Sequence, residues 1–241
     1  YNGQAVLGVV KADDTGNWSF TPEDPLDEGS YRITATVTDL AGNVSDASVE
    51  FVIELDTSAP TTAPTLTVND DLAPGIGPIT SGGSTNDPTP TFSGTAEPGS
   101  IVTLYNGTTV IGTAEASDTD GSWTFTPDDN LLDGEYSLTA RATDAAGNVG
   151  PESPAFSLII DTTPPANVTN LTVNDDASPV SGLLNSGDST NDSTPTFSGR
   201  AEAGSTITFY NDGVALPGTA VADSNGVWTY TPTLADGDYV I

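Results

Sequence analysis

Short runs in which apolar and polar residues alternate recur along the chain, separated by turn-forming residues. The clearest run is 135–143, where the apolar side chains from Tyr136 to Ala142 alternate with polar ones. Because successive side chains of a strand point to opposite faces, this pattern predicts a strand with one buried face. Seven such runs lie in the middle of the chain, near 65–68, 90–95, 101–105, 109–115, 122–126, 135–143 and 155–160.

The turns between these runs predict how the strands pair. Pro98-Gly99, Asn106-Gly107 and Asp120-Gly121 supply the φ values that tight reversals need, so we expect antiparallel neighbours. Seven short antiparallel strands in about 100 residues, with no helical period, predict an all-β fold, a two-sheet immunoglobulin-like β-sandwich.

Aromatic residues at regular positions predict the core of this sandwich. We expect the core to contain Phe92, Trp123, Phe125 and Phe156. An exposed Trp123 that stacks on a sugar is the alternative interpretation. The position of Trp123 beside Phe125 on an alternating strand favours the core.

An internal repeat predicts the domain organisation. Trp18, Trp123 and Trp228 are spaced by 105 residues, and the same offset relates Phe92 to Phe197. The repeat predicts tandem modules of 105 residues: the C-terminal part of a module in 1–56, a complete module in 57–161 and the N-terminal part of a module in 162–241. We therefore expect a longer parent protein, with its modules arranged as a rod.

The charge of the chain restricts its partners. There are 34 Asp and Glu residues against four Lys and Arg, which gives a formal net charge of −30. Nucleic acids and anionic lipid surfaces are bound mainly through Lys and Arg, so neither is an expected partner. The chain also has no apolar run of about 18 residues, so we do not expect direct membrane insertion.

Four repeated motifs resemble the bacterial immunoglobulin-like repeats of giant type I-secreted adhesins and biofilm-associated surface proteins. These motifs are STNDPTPTFSGTAEPGS (84–100), GSWTFTP (121–127), ATDAAGNV (142–149) and DTTPP (161–165), and each has a counterpart one period away. The resemblance implies an extracellular stalk on the bacterial cell surface, which carries a terminal adhesive region away from the cell. It also implies calcium at the junctions between neighbouring modules, as in several members of that family.

Acidic residues are expected to gather at the two ends of each sandwich, because strands reverse direction at every turn. Two carboxylates about 4 Å apart repel by roughly 4 kcal/mol at an effective dielectric constant near 20, so a cluster favours a bound cation. Calcium accepts about six to eight oxygen ligands in loose geometry, whereas the absence of His and Cys disfavours zinc and copper.

We predict a calcium ion at the first junction, bound by Asp56, Glu97 and Asp144. Asp118, Asp120 or Asn148 complete its coordination. Further candidate ligands are Asp70, Asp71, Asp87 and Asp161 at the opposite end of the complete module, and Glu202 and Asp223 in the third module.

Turn formation and solubility are the alternative explanation for these acids. For Asp120-Gly121 alone the turn is favoured, and the string from Asp118 to Gly121 lacks the later glutamate of an EF-hand. Glu97 is a poor turn former, so the set that contains Glu97, Asp56 and Asp144 favours calcium.

The remaining chemistry favours a spacer over an enzyme. The chain has no His or Cys, and Lys11 is its one lysine, so the usual bases and nucleophiles are missing. Two carboxylates could serve a glycosidase, but the candidates recur in each module. The rival function is recognition of a sugar or protein through loops, for which Tyr105 and Tyr210 are the aromatic candidates. We predict a calcium-stiffened stalk whose parent protein contacts any receptor through other parts.

Overall fold

The computed structural model describes residues 1–179 and 181–240, and these residues form eighteen β-strands and no helix. The all-β prediction is therefore confirmed. None of the described residues belongs to a helix long and apolar enough to cross a membrane. The chain divides into two compact units, Tyr1–Thr162 and Thr163–Ile241.

The first unit begins with a segment, 1–56, that forms a single hairpin. Its strands β1 (Gly29–Ile33) and β2 (Phe51–Leu55) pair antiparallel along their whole length. These are the only strands within residues 1–56, all of which the structure describes. Most of this segment is exposed, including Trp18, whose side chain retains 58% of its accessible surface.

A complete sandwich follows within the same unit. Its ten strands are β3 (Thr67–Asp70), β4 (Gly77–Ile79), β5 (Gly83–Thr85), β6 (Thr91–Thr95), β7 (Ile101–Asn106), β8 (Thr109–Glu115), β9 (Ser122–Phe125), β10 (Gly134–Thr143), β11 (Val149–Glu152) and β12 (Phe156–Ile160). One sheet has the order β4-β3-β6-β9. The other has the order β5-β12-β10-β7-β8, with β11 paired to β10.

The core of this sandwich lies between the two sheets, as the aromatic pattern predicts. Phe92 and Trp123 are buried, while Phe125 and Phe156 are partly buried and pack against the same cluster. The inward face of β10 is fully buried from Leu138 onward, which confirms the alternation in 135–143. The indole N–H of Trp123 has no hydrogen-bond partner among the described residues, so Trp123 stabilises the core through apolar packing.

All seven predicted strands of the complete module are present, and three short strands were missed. The missed strands are β4, β5 and β11, each of three or four residues. The prediction that all neighbours are antiparallel is wrong for one pair, because β5 runs parallel to β12 at the edge of its sheet. A parallel edge pair is possible here because the chain crosses from one sheet to the other between β5 and β12.

The second unit repeats this arrangement in its own sheets. Its strands are β13 (Thr169–Asp175), β14 (Gly182–Leu184), β15 (Thr196–Arg200), β16 (Thr206–Asn211), β17 (Val214–Val221) and β18 (Val227–Tyr230). One sheet has the order β14-β13-β15-β18, and β16 pairs with β17. Trp228 is buried in its core, where the rings of Phe209 and Tyr230 stack with centroids 4.3 Å apart.

Candidate metal sites at the module ends

The first candidate site lies where segment 1–56 meets the complete sandwich. Asp56 follows β2 directly, and its backbone carbonyl accepts a hydrogen bond of 3.1 Å from Asn148 Nδ2. The incoming linker also packs closely at this point, since a Cβ atom at Gly150 would lie 2.8 Å from the Pro60 carbonyl oxygen. Two of the predicted ligands, Asp56 and Asn148, are therefore neighbours.

Asp144 belongs to the same site through Asn148. Its Oδ1 atom accepts hydrogen bonds from the backbone N–H groups of Ala146 and Asn148, and its Oδ2 atom accepts one of 2.8 Å from Asn148 Nδ2. The side-chain amide of Asn148, supported by these N–H groups, lowers the pKa of the Asp144 carboxyl below its ordinary value. The carboxylate thus closes its own turn while it faces Asn148.

Glu97, Asp118 and Asp120 occupy two adjacent turns of the complete sandwich. The Glu97 carbonyl closes the first turn by accepting hydrogen bonds from the backbone N–H and the hydroxyl of Ser100. Gly99 N–H donates to the Ala116 carbonyl, and a Cβ atom at Gly99 would lie 3.0 Å from Asp118 Oδ1. The turns that carry Glu97 and Asp118 are therefore in contact.

Asp120 stabilises the second of these turns. Its Oδ1 atom accepts hydrogen bonds from the N–H of Ser122 at 3.1 Å and from the hydroxyl of Ser122 at 2.8 Å. The Ser122 N–H, followed by its hydroxyl, lowers the pKa of the Asp120 carboxyl. This contact supports the turn interpretation that the Asp120-Gly121 pair favoured.

At the opposite end of the sandwich, Asp70 and Asp87 are buried, each with less than 5% of its surface exposed. The Thr85 hydroxyl donates a hydrogen bond of 2.6 Å to Asp70 Oδ2 and accepts one of 2.9 Å from Asp87 N–H. Asp87 Oδ2 in turn accepts from Asp71 N–H at 3.0 Å. These carboxylates therefore hold their own loops together, and the Asp161 N–H donates to the Thr85 carbonyl beside them.

The second unit contains the same loop network. The Thr190 hydroxyl donates to Asp175 Oδ2 at 2.6 Å and accepts from Asp192 N–H at 2.9 Å. The Glu202 carbonyl closes a turn with Ser205, as Glu97 does with Ser100. Asp223 accepts from the N–H groups at the end of its own turn, and the Val227 N–H is the main cause of its lowered pKa.

The predicted ligands thus form two pairs of contacts in the first unit, Asp56 with the turn from Asp144 to Asn148, and the Glu97 turn with the Asp118 turn. Within 1–179 and 181–240, no three acidic side chains lie close enough together to hold a metal ion. The atoms at the first pair that could bind a metal ion are the Asp56 carbonyl oxygen, the Asp144 carboxylate oxygens and the amide oxygen of Asn148. Oxygen ligands are the kind that calcium prefers.

A comparison with protein families matches three consecutive stretches, 1–57, 62–162 and 165–241, to the bacterial Ig-like domain. The chain belongs to the bacterial Ig-like domain family. The resemblance carried by the four repeated motifs is confirmed for the family, and the predicted sandwich fold is confirmed for the complete module. This type of domain is not an enzymatic fold.

One solved structure with a similar chain is a Ca2+-stabilized adhesin that helps an Antarctic bacterium reach out and bind ice. It is 22% identical, with a TM-score of 0.33, and the match covers 92% of this chain. The match covers 53% of the adhesin chain, so the Ig-like segments span about half of its length. Among curated proteins, none matches the chain.

Sequence reasoning missed several polar residues that hold the loops and linkers of the Ig-like segments. Thr85 and Thr190 each link two buried carboxylates, and Glu28 and Asp133 bind linker residues. Thr85 and Thr190 are 105 residues apart, and so are Glu28 and Asp133, so the repeat was the sequence signal that could have identified them. The aromatic candidates for a ligand differ, since Tyr105 is half-buried whereas Tyr210 is exposed.

Proposed function

We propose that the chain is a spacer segment of a large bacterial cell-surface adhesin, in which successive Ig-like modules carry an adhesive region away from the cell. The observation that carries the proposal is the succession of three Ig-like stretches along one chain. Each core is built from its own strands, and the same acidic turns recur from one stretch to the next. Repetition of one unit serves length and spacing, whereas a catalytic or sugar site needs a local arrangement of its own. An extracellular location and a part in attachment or biofilm formation follow from this role.

The proposal includes calcium at the first junction, with Asp56, Asp144 and Asn148 as the ligands that the fold brings together, whereas Glu97 lies in the separate pair of turns with Asp118. Asn148 Nδ2 lies between two oxygen atoms, 3.1 Å from the Asp56 carbonyl and 2.8 Å from Asp144 Oδ2. A positively polarised amino group between two oxygens occupies the kind of position that a cation favours. Rotation of this amide by half a turn replaces the nitrogen with Oδ1, which makes all three groups oxygen donors.

The ion would fix the orientation of segment 1–56 relative to the complete sandwich. Asp56 ends segment 1–56, whereas Asp144 and Asn148 belong to the β10–β11 turn of the complete sandwich. An ion bound by both bodies stabilises the one arrangement in which its ligands meet. At a calcium concentration about 100 times the dissociation constant, this linkage stabilises the bound arrangement by roughly 2.7 kcal/mol.

Calorimetric titration of the whole chain with calcium tests this site. We expect Asp144→Asn to weaken binding or remove the site, because it removes a carboxylate ligand, and Asn148→Ala to do the same, because it removes the side chain that faces both the Asp56 carbonyl and Asp144. Asp46→Asn is the matched control, since Asp46 is an exposed acid of the same segment outside the junction. Equal calcium binding by the wild-type chain and all three variants would contradict the proposal.

A further inference from the structure

We infer that Glu28 and Asp133 are metal-independent clasps that fix the first residues of the linker after segment 1–56 and after the complete sandwich. This goes beyond the calcium site and does not depend on it. Neither residue is among the candidate calcium ligands. Both bind the linker through hydrogen bonds that the protein alone supplies.

Glu28 binds the first linker through three hydrogen-bond donors. Its Oε1 atom accepts from the Thr57 N–H at 2.9 Å, from the Thr57 hydroxyl at 2.6 Å and from the Ser58 hydroxyl at 2.8 Å. The Thr57 hydroxyl, with the hydroxyl of Ser58 and the Thr57 N–H, lowers the pKa of the Glu28 carboxyl. Hydrogen bonds to an ionised carboxylate are the stronger kind, so this contact orders the two residues that follow Asp56.

Asp133 makes the same contact at the next linker. Its Oδ1 atom accepts from the Thr162 N–H at 3.0 Å and from the Thr162 hydroxyl at 2.8 Å. In both cases the carboxylate lies 29 residues before the threonine that it binds. A glutamate and an aspartate thus capture a threonine N–H and hydroxyl in the same way, which makes the clasp a repeated feature of the module.

A tyrosine and a glycine set the position of each carboxylate. The hydroxyl of Tyr31 donates to the Asp27 carbonyl at 2.7 Å, so it holds the residue directly before Glu28. Glu28 is followed by Gly29, whose φ of +138° is one that residues with a side chain rarely adopt. The carboxylate is therefore fixed on both sides.

The complete sandwich repeats this support around Asp133. The hydroxyl of Tyr136 donates to the Leu132 carbonyl at 2.8 Å, and Gly134 has a φ of +150°. In the second unit Tyr239 donates to the Ala235 carbonyl at 3.0 Å, which places Asp236 in the same position before a glycine. The tyrosine, the acid and the glycine form one unit that recurs with the module.

The clasp has a consequence for each linker without any metal. It binds the backbone N–H of the linker threonine, so it fixes the direction in which the chain leaves the strand. A linker that is already ordered loses less conformational entropy when a second interaction forms at the junction. Calcium would then bind at a junction where the first residues of the linker are already ordered.

Amide hydrogen exchange of the whole chain in the presence of a chelator tests the clasp. We expect the Thr57 and Thr162 amides to be protected without calcium. Glu28→Ala should reduce protection of Thr57 by about tenfold or more and leave Thr162 unchanged, because the charged hydrogen bond to the Thr57 N–H is lost. Asp133→Ala should do the reverse, so each variant is the control for the other.

Two further variants keep the result interpretable. Asp144→Ala removes a proposed calcium ligand and should leave both amides protected, so failure of the calcium site does not affect this test. If Glu28→Ala also loses protection at the buried Leu138 amide, Glu28→Gln carries the test, because it retains the size and should give intermediate protection at Thr57. The inference is overturned if Thr57 exchanges freely in the chelated wild-type chain. It is also overturned if neither substitution of Glu28 changes its protection.

Discussion

Trp18 and Trp123 occupy corresponding positions of the repeat, yet their surroundings differ completely. Trp18 is 58% exposed, whereas Trp123 is 2% exposed and Trp228 in the second unit is also 2% exposed. The flanking sequences, GNWSFTP in 16–22 and GSWTFTP in 121–127, are nearly the same. The difference therefore arises from what lies beside each tryptophan and not from its local sequence.

The partner of the tryptophan strand explains the difference. In the complete sandwich β9 pairs with β6, with Gly94 opposite Trp123, and in the second unit β15 pairs with β18, with Gly199 opposite Trp228. Residues 1–56 contain no strand that corresponds to β6, and residues 16–22 form no strand. Strand formation here depends on pairing and burial, which outweigh the local propensity of the same residues.

The largest effect that we expect comes from removing the indole in each setting. Trp123→Ala should destabilise the complete sandwich by about 3–5 kcal/mol, because it removes a large buried aromatic side chain. Trp18→Ala should change stability by less than about 0.5 kcal/mol, as for an exposed position. Urea unfolding monitored by amide exchange measures both losses, at β10 for Trp123→Ala and at β1 for Trp18→Ala. Equal losses from the two substitutions would show that Trp18 is packed in solution.

A smaller effect should follow from adding one methyl group beneath the aromatic ring of each segment. A Cβ atom at Gly112 would overlap the ring of Phe125, and one at Gly8 would overlap the ring of Phe20. Gly112→Ala should cost about 1–3 kcal/mol, because Phe125 packs against a closed core. Gly8→Ala should cost less, since Phe20 belongs to no strand and can move away. Thermal unfolding of the two variants ranks them, and a larger loss for Gly8→Ala would contradict the comparison.

The smallest expected effect concerns turns that do not depend on the sandwich. Asp39 accepts hydrogen bonds from Asn43 just as Asp144 does from Asn148, and the asparagine side chain is the first cause of the lowered pKa in both. Since each pKa is lower when folded, each carboxylate favours the folded turn above its unfolded pKa. That contribution is lost as the pH falls through the folded pKa.

Carboxyl titration by NMR checks this pair. Both Asp39 and Asp144 should titrate below the ordinary value for aspartate, and Asn43→Ala should raise the pKa of Asp39 alone. An ordinary pKa for Asp39 beside a low one for Asp144 would show that the turn needs the complete sandwich.

The strands that could be predicted from sequence are those long enough to show alternation. The runs at 109–115 and 135–143 match β8 and β10 to within a residue. The strands β4, β5 and β11 could not be found, because three or four residues containing Gly or Pro show no period. The hydrophobic pattern around Trp18 did not predict its exposure, but the assignment of 1–56 to part of a module implied that its partner strand is not among these residues.

The candidate site was predictable in its residue types and less so in its contacts. The repeated acids identified the turns that contain Asp144 and Asp120, but both carboxylates accept hydrogen bonds from their own turns. The contact from Asn148 to the Asp56 carbonyl joins residues 92 positions apart, which no local pattern specifies. Whether an acidic residue only stabilises its own turn or also contributes to a metal site therefore depends on which distant residues the fold places beside it.

Small-angle X-ray scattering of the whole chain tests the central claim, that calcium fixes the junction at Asp56. The samples are the wild-type chain with calcium, the wild-type chain with chelator, and Asp144→Ala with calcium. We expect the chelated chain to be more flexible, with a changed maximum dimension, and Asp144→Ala to resemble it even in calcium, because this variant lacks the carboxylate ligand of the junction. Identical dimensions and flexibility in all three samples would contradict the account and leave the acidic turns as a solvated surface.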